Sequence, residues 1–122
     1  MNIEYKKSKI HNLGVFATKS FKVGDIIESC PVLVLSHDTT QAIHDKDLDN
    51  YTFDWEEHKS AIVLGYGSLY NHDYEPNARY YKDFKTNILT FKAIKPIKKG
   101  EEITISYNGN PEDKTPVWFD KK

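Results

Sequence analysis

The sequence predicts a single compact domain, residues 1–122, that is mostly β, with several small sheets and little helix. Three observations carry this. Short runs rich in β-branched, aliphatic or aromatic residues recur at 15–17, 26–35, 61–64, 78–81, 88–93 and 103–106. Turn chemistry separates them, at Gly24-Asp25, Pro76-Asn77, Lys85-Thr86-Asn87 and Gly100-Glu101. A chain of 122 residues is long enough for one core and too short for two.

Taken in order, the N-terminal residues Met1-Asn2-Ile3-Glu4-Tyr5-Lys6-Lys7 lack the apolar stretch of a signal peptide, so the chain is expected to stay inside a cell. Runs 15–17 and 26–35 read as strands around the Gly24 turn. Cys30 lies within the second and precedes Pro31. A lone cysteine forms no internal disulfide and no cysteine-based zinc site, and its apolar setting reads as a buried, inert thiol. Residues 45–53 are the one helical candidate, with aspartates that could cap it but poor helix formers inside. After the strand at 61–64, the segment Leu69-Tyr70-Asn71-His72-Asp73-Tyr74-Glu75-Pro76-Asn77 is polar and aromatic where a plain loop between apolar strands would be blander. Runs 78–81 and 88–93 flank the Lys85-Thr86-Asn87 turn. The strand at 103–106 ends on Tyr107, before the break at Asn108-Gly109, which is well placed to project a phenol into a cleft. Residues 108–122 read as an extended tail carrying Trp118 and Phe119. Residues 17–27 and 93–103 echo one another, each an anchor followed by lysines, a glycine and an acid. Shared turn chemistry explains this more simply than duplication.

The composition is that of an ordinary globular protein, 39% hydrophobic and 29% charged. Eight tyrosines are many for this size, and several are expected at a surface or a cleft. A net charge of −1 argues against a dedicated nucleic-acid binder. No apolar run approaches the ~20 residues that span a bilayer. Charge is uneven, however: residues 37–57 hold seven acids (Asp38, Asp45, Asp47, Asp49, Asp54, Glu56, Glu57) against Lys46 alone. Such a window is a solvated face or a wall for a basic peptide. His37, His44, His58 and His72 lie among carboxylates, but their spacing matches no short metal motif, and no metal is expected. There is no Gly-x-Ser-x-Gly elbow, and Gly65-Tyr66-Gly67 is too short for a dinucleotide loop.

Three motifs in order make the chain resemble a SET domain. They are Asn12-Leu13-Gly14-Val15-Phe16-Ala17, then Asn71-His72 with Pro76-Asn77, then Gly100-Glu101-Glu102-Ile103-Thr104-Ile105-Ser106-Tyr107. Without flanking zinc modules, the chain is similar to the minimal SET proteins of bacteria and large DNA viruses. The resemblance implies a β-clip-like fold in which the Asn-His segment and the final strand pass through one another as a pseudoknot. It also implies a protein-lysine N-methyltransferase that uses S-adenosyl-L-methionine and acts on a basic protein segment such as a histone tail. By the same resemblance Tyr107 is the catalytic tyrosine, and Asn12, Leu13, Gly14, Asn71 and His72 bind the cofactor. Tyr51, Tyr66 and Tyr70 are the substrate-channel candidates, Tyr51 foremost. Trp118 and Phe119 either cover the adenine as a lid in place of the absent zinc module or dock the tail on the core. The expected location is cytoplasmic, or nuclear in a eukaryotic host, and the expected assembly a monomer or homodimer.

Two positions depart from the family pattern. Asn12 stands for a glycine, a substitution that a left-handed backbone tolerates. Asp73 stands for a serine, which puts the hydrogen bonding at that corner in question. Both motivate the alternative of a SET fold that binds a partner or cofactor without transferring a methyl group.

Overall fold

Alternation of inward and outward side chains places the strands, and the computed structural model describes residues 1–114. Its elements are β1 (Ile3–Lys7), β2 (Leu13–Ala17), β3 (Ile26–Val34), α1 (His37–Ala42), β4 (Thr52–Trp55), β5 (Lys59–Val63), β6 (Asn71–His72), β7 (Ala78–Asp83), β8 (Ile88–Ala93) and β9 (Glu102–Ile105). They form a four-stranded sheet in the order β1-β2-β9-β6 and a five-stranded sheet in the order β4-β5-β3-β8-β7. Among the described residues every strand pairing is antiparallel except β6 with β9, where Asn71 faces Thr104 and His72 faces Ile105. One apolar core joins the two sheets, with Val15, Leu89, Phe91, Ile103 and Ile105 fully buried.

The mostly-β expectation holds, whereas the one α-helix among the described residues lies elsewhere. Residues 45–53 were the expected helix; only a 3-10 turn, Asp47–Tyr51, forms there. Asp45 has φ 65°, a left-handed angle that a continuing right-handed helix cannot use. The α-helix is α1, started by Ser36, whose hydroxyl accepts from the Thr39 N–H at 3.1 Å, with Asp38 in the first turn. The edge strands β1 and β4 carry little apolar alternation, and β1 buries only Ile3.

The sequence echo has a structural counterpart. Phe21 and Ile97 exchange both backbone hydrogen bonds, at 2.8 and 3.0 Å. The Gly24 N–H donates to the Ala93 carbonyl at 2.8 Å, and the Gly100 N–H donates to the Ala17 carbonyl at 2.8 Å. Gly24 and Gly100 share nearly one backbone angle, φ 90° and 92°. Asp25 and Glu101 each cap their own turn, accepting from the N–H of Lys22 and of Lys98. The two segments are thus halves of one clip related by an approximate two-fold axis. Each glycine's angle is one that other residues reach only with strain.

Candidate active site

The site is assembled where the shortest strand meets the last one. β6 lies against β9, and the Asp73 N–H extends the pairing by donating to the Ile105 carbonyl at 2.9 Å. Asn71 is 5% exposed, and its amide nitrogen faces three acceptors: the carbonyls of His11 (3.2 Å) and Leu13 (3.1 Å) and Glu102 Oε2 (2.8 Å). With the nitrogen so engaged, the amide oxygen is the atom with which Asn71 can accept from a ligand ammonium. The other Glu102 oxygen accepts from the Ser8 hydroxyl at 2.6 Å. Gly14 allows this convergence, because a Cβ there would lie 2.4 Å from Glu102 Oε2 and 3.0 Å from Asn71 Nδ2. Asn12, at the entry to β2, has φ 38°, the left-handed angle for which asparagine is suited. Asp73 holds its corner in its own way: Oδ1 accepts from the Glu75 N–H at 2.9 Å, an Asx turn. The two unusual positions thus carry a left-handed backbone at Asn12 and an Asx turn at Asp73.

Beside Tyr70 and Tyr107 lies a cavity of about 640 Å³. Residues 49–54 form one wall and residues 79–82 with Phe84 the other, with Tyr70 and residues 107–109 between them. β4 and β7 are the two outer strands of the five-stranded sheet, so that sheet curls until its edges face one space. The edges touch through Phe53 and Tyr80, whose rings meet edge-to-face at 5.1 Å. The walls carry opposite charges, Asp49 and Asp54 against Arg79 and Lys82. Burial lowers the Lys82 ammonium pKa, and the Asp54 charge offsets part of that.

Tyr107 joins the two halves of the site. Its N–H donates to His72 Nδ1 at 3.0 Å, which fixes that nitrogen as an acceptor. Its hydroxyl donates to the Tyr70 carbonyl at 2.8 Å. Burial, and after it the neighbouring Tyr51 phenol, pushes the Tyr107 phenol up to about 12. The hydroxyl therefore keeps its proton at neutral pH, held in direction by the Tyr70 carbonyl.

The other sequence-expected residues fall as follows. Tyr51 lines the cavity at its rim, with its side chain well exposed. Tyr70 also borders the cavity, but its ring is buried and stacks on Phe91 at 4.1 Å, so it contributes its carbonyl to the site. Tyr66 is not among the residues lining this cavity, and its ring packs edge-to-face on Tyr5 at 5.6 Å. Leu13 is 42% exposed on β2, an apolar side chain beside the Asn71 cluster. Trp118 and Phe119 lie outside the described residues. His44 sits on the exposed surface beside Asp45 and Asp49. Sequence reasoning quoted Asn77 and Glu102 within the motifs but gave them no role, and it passed over Tyr80 and Glu28. The available signal for Glu28 was a carboxylate inside an otherwise apolar run, Ile26-Ile27-Glu28-Ser29-Cys30.

A family model described as SET domain matches residues 12–108. A histone-lysine N-methyltransferase of Schizosaccharomyces pombe, specific for lysine 37 of histone H3, is 32% identical over 119 residues, spanning 97% of this chain and 77% of its own. A solved Plasmodium falciparum structure, described as that of a candidate histone methyltransferase, aligns with a TM-score of 0.70 at 31% identity. That alignment covers 87% of this chain and 92% of the other. A chain of an active polycomb repressive complex 2 aligns with a TM-score of 0.73 at 24% identity, over 88% of this chain and 15% of its own, a likeness of fold.

Proposed function

The chain belongs to the SET-domain family, and from that premise we propose that it is an S-adenosylmethionine-dependent protein-lysine N-methyltransferase acting on a basic segment such as a histone tail. The observation that carries this reading is the Tyr107 hydroxyl, held on the Tyr70 carbonyl where the aromatic-lined cavity meets the Asn71 cluster. The residues present fit the cofactor's chemistry. Asn71 offers an amide oxygen to an ammonium, Glu102 places a carboxylate behind it, and Leu13 offers an apolar surface to a flat ring. Once bound, S-adenosylmethionine supplies a methyl group on a cationic sulfur, which departs as a neutral thioether when the methyl moves.

The chain's own residues supply the remainder. The acceptor must be a neutral amine, although free lysine has a pKa of ~10.4. Enclosure between Tyr51, Phe53, Tyr80 and Tyr107 strips water from the ammonium and favours loss of its proton to solvent before transfer. The Tyr107 hydroxyl, oriented by its bond to the Tyr70 carbonyl, is the group assigned to aligning the acceptor amine. No general base is needed in the step itself. Asp49 and Asp54 on one wall suit a lysine flanked by basic residues, in keeping with the acidic window at 37–57.

The test is transfer of labelled methyl to a lysine-bearing basic peptide by the wild type and by Tyr107→Phe. The variant is expected to bind the cofactor as before in calorimetry yet lose roughly 100-fold or more in kcat. A fully active Tyr107→Phe would remove the assignment. Equal turnover of the same peptide with neutral flanks would remove the basic-substrate part alone.

A further inference from the structure

Glu28 is a buried carboxylate, 7% exposed, that the transfer step leaves unused. It sits inside because β3 changes register against β8 between Ile26 and Glu28, so that Ile27 and Glu28, although adjacent, are both buried. A buried carboxylate survives only with donors on its oxygens. Glu28 has them: Oε1 accepts from the Tyr70 hydroxyl at 2.8 Å and Oε2 from the Tyr66 N–H at 3.0 Å. Its approach to that turn depends on Gly65, where φ is 68° and a Cβ would lie 2.4 Å from Oε2.

Tyr70 is thereby held at the far end of its side chain by Glu28 and along its ring by Phe91. Its carbonyl is the group that holds the Tyr107 hydroxyl. We infer that Glu28 is a positioning residue for methyl transfer, fixing Tyr70 so that its carbonyl sets the direction of the Tyr107 hydroxyl. The inference rests on the methyltransferase reading above. It also requires a carboxylate. Two donors converge on two oxygens, and a glutamine would turn an NH₂ towards one of them. A catalytic contact displaced by about 1 Å can lose up to 100-fold in rate, so a small shift of one carbonyl is kinetically visible.

Glu28→Gln and Tyr70→Phe test this, each made in the wild type and in Tyr107→Phe, with single-turnover methyl transfer to a basic lysine peptide. Both are expected to lower kcat by about tenfold while leaving the peptide KM and the cofactor Kd within about twofold. In the Tyr107→Phe background the same changes are expected to alter the residual rate by less than about twofold, because no hydroxyl remains to be misdirected. Equal slowing in both backgrounds would mean that Glu28 only staples the fold and would overturn its role, as would an unchanged kcat in the two single variants. Tyr70→Phe keeps the ring on Phe91, so it carries the test if Glu28→Gln does not fold. A wild type inactive on every lysine peptide removes the parent reading and this one with it. An active wild type with unaffected variants removes this one alone.

Discussion

A methyl group at Gly14 has nowhere to go without moving Asn71 or Glu102, since both already stand within 3.0 Å of the place it would occupy. Gly14→Ala is therefore expected to weaken S-adenosylmethionine binding by tenfold or more, by about 1.4 kcal/mol at the least, while the fold persists. Titration calorimetry reads this directly, and an unchanged Kd would show that the Asn71 cluster is not part of the cofactor site. Single positions also show how far the sequence could be read. Asn71, His72 and Tyr107 were legible because their motifs are local and ordered along the chain. Glu102 and Glu28 were not, because a carboxylate gains meaning only from the donors it meets. Those donors come from residues 31 and 42 positions away.

Between elements, the least expected work falls to Asn77, whose side chain brackets β9. Its amide nitrogen donates to the Glu102 carbonyl at 2.9 Å, and its amide oxygen accepts from the Thr104 N–H at 2.9 Å. β6 is only two residues long, and this amide extends the bonding along β9 ahead of it, from Thr104 back to Glu102. Asn77→Ala would leave two partly buried backbone groups of β9 without these partners, at about 1–2 kcal/mol each. A loss of roughly 2–4 kcal/mol in denaturant titration is expected, and a loss under ~0.5 kcal/mol would contradict the bracket. The strands most legible in the sequence, β3 and β8, alternate buried apolar with exposed residues over much of their length. β1 and β4 lie at sheet edges, where one flank meets solvent and the alternation fades. α1 buries no residue at all, so it left no apolar periodicity in the sequence to be read.

For the whole molecule, burial of phenols makes stability depend on alkaline pH. Tyr80 and Tyr107 rise from 10.0 to about 12, desolvation being the main cause in each. The folded chain thus holds these protons more tightly than the unfolded chain. The stability they contribute is complete below pH 10 and is lost as pH climbs from 10 towards 12. Linkage gives roughly 2–3 kcal/mol per phenol as an upper figure. The denaturation midpoint is expected to fall steeply above pH 10, and Tyr107→Phe to soften that fall; a midpoint level up to pH 12 would refute it. The clip has a consequence of another kind, in time. It ties Ala17 to Gly100 and Gly24 to Ala93, so each turn, closed locally, is also bonded to a segment far along the chain. Pairings so distant along the chain slow folding more than they alter stability. A growing polypeptide cannot close the clip until Gly100 has left the ribosome, and β9, on which Asn71, Asn77 and Tyr107 all depend, follows at once. The hydrogen bonds that β9 makes with Asn71, Asn77 and the surroundings of Tyr107 are therefore the last of the site to close, after the cavity walls at 49–54 and 79–82 have been made.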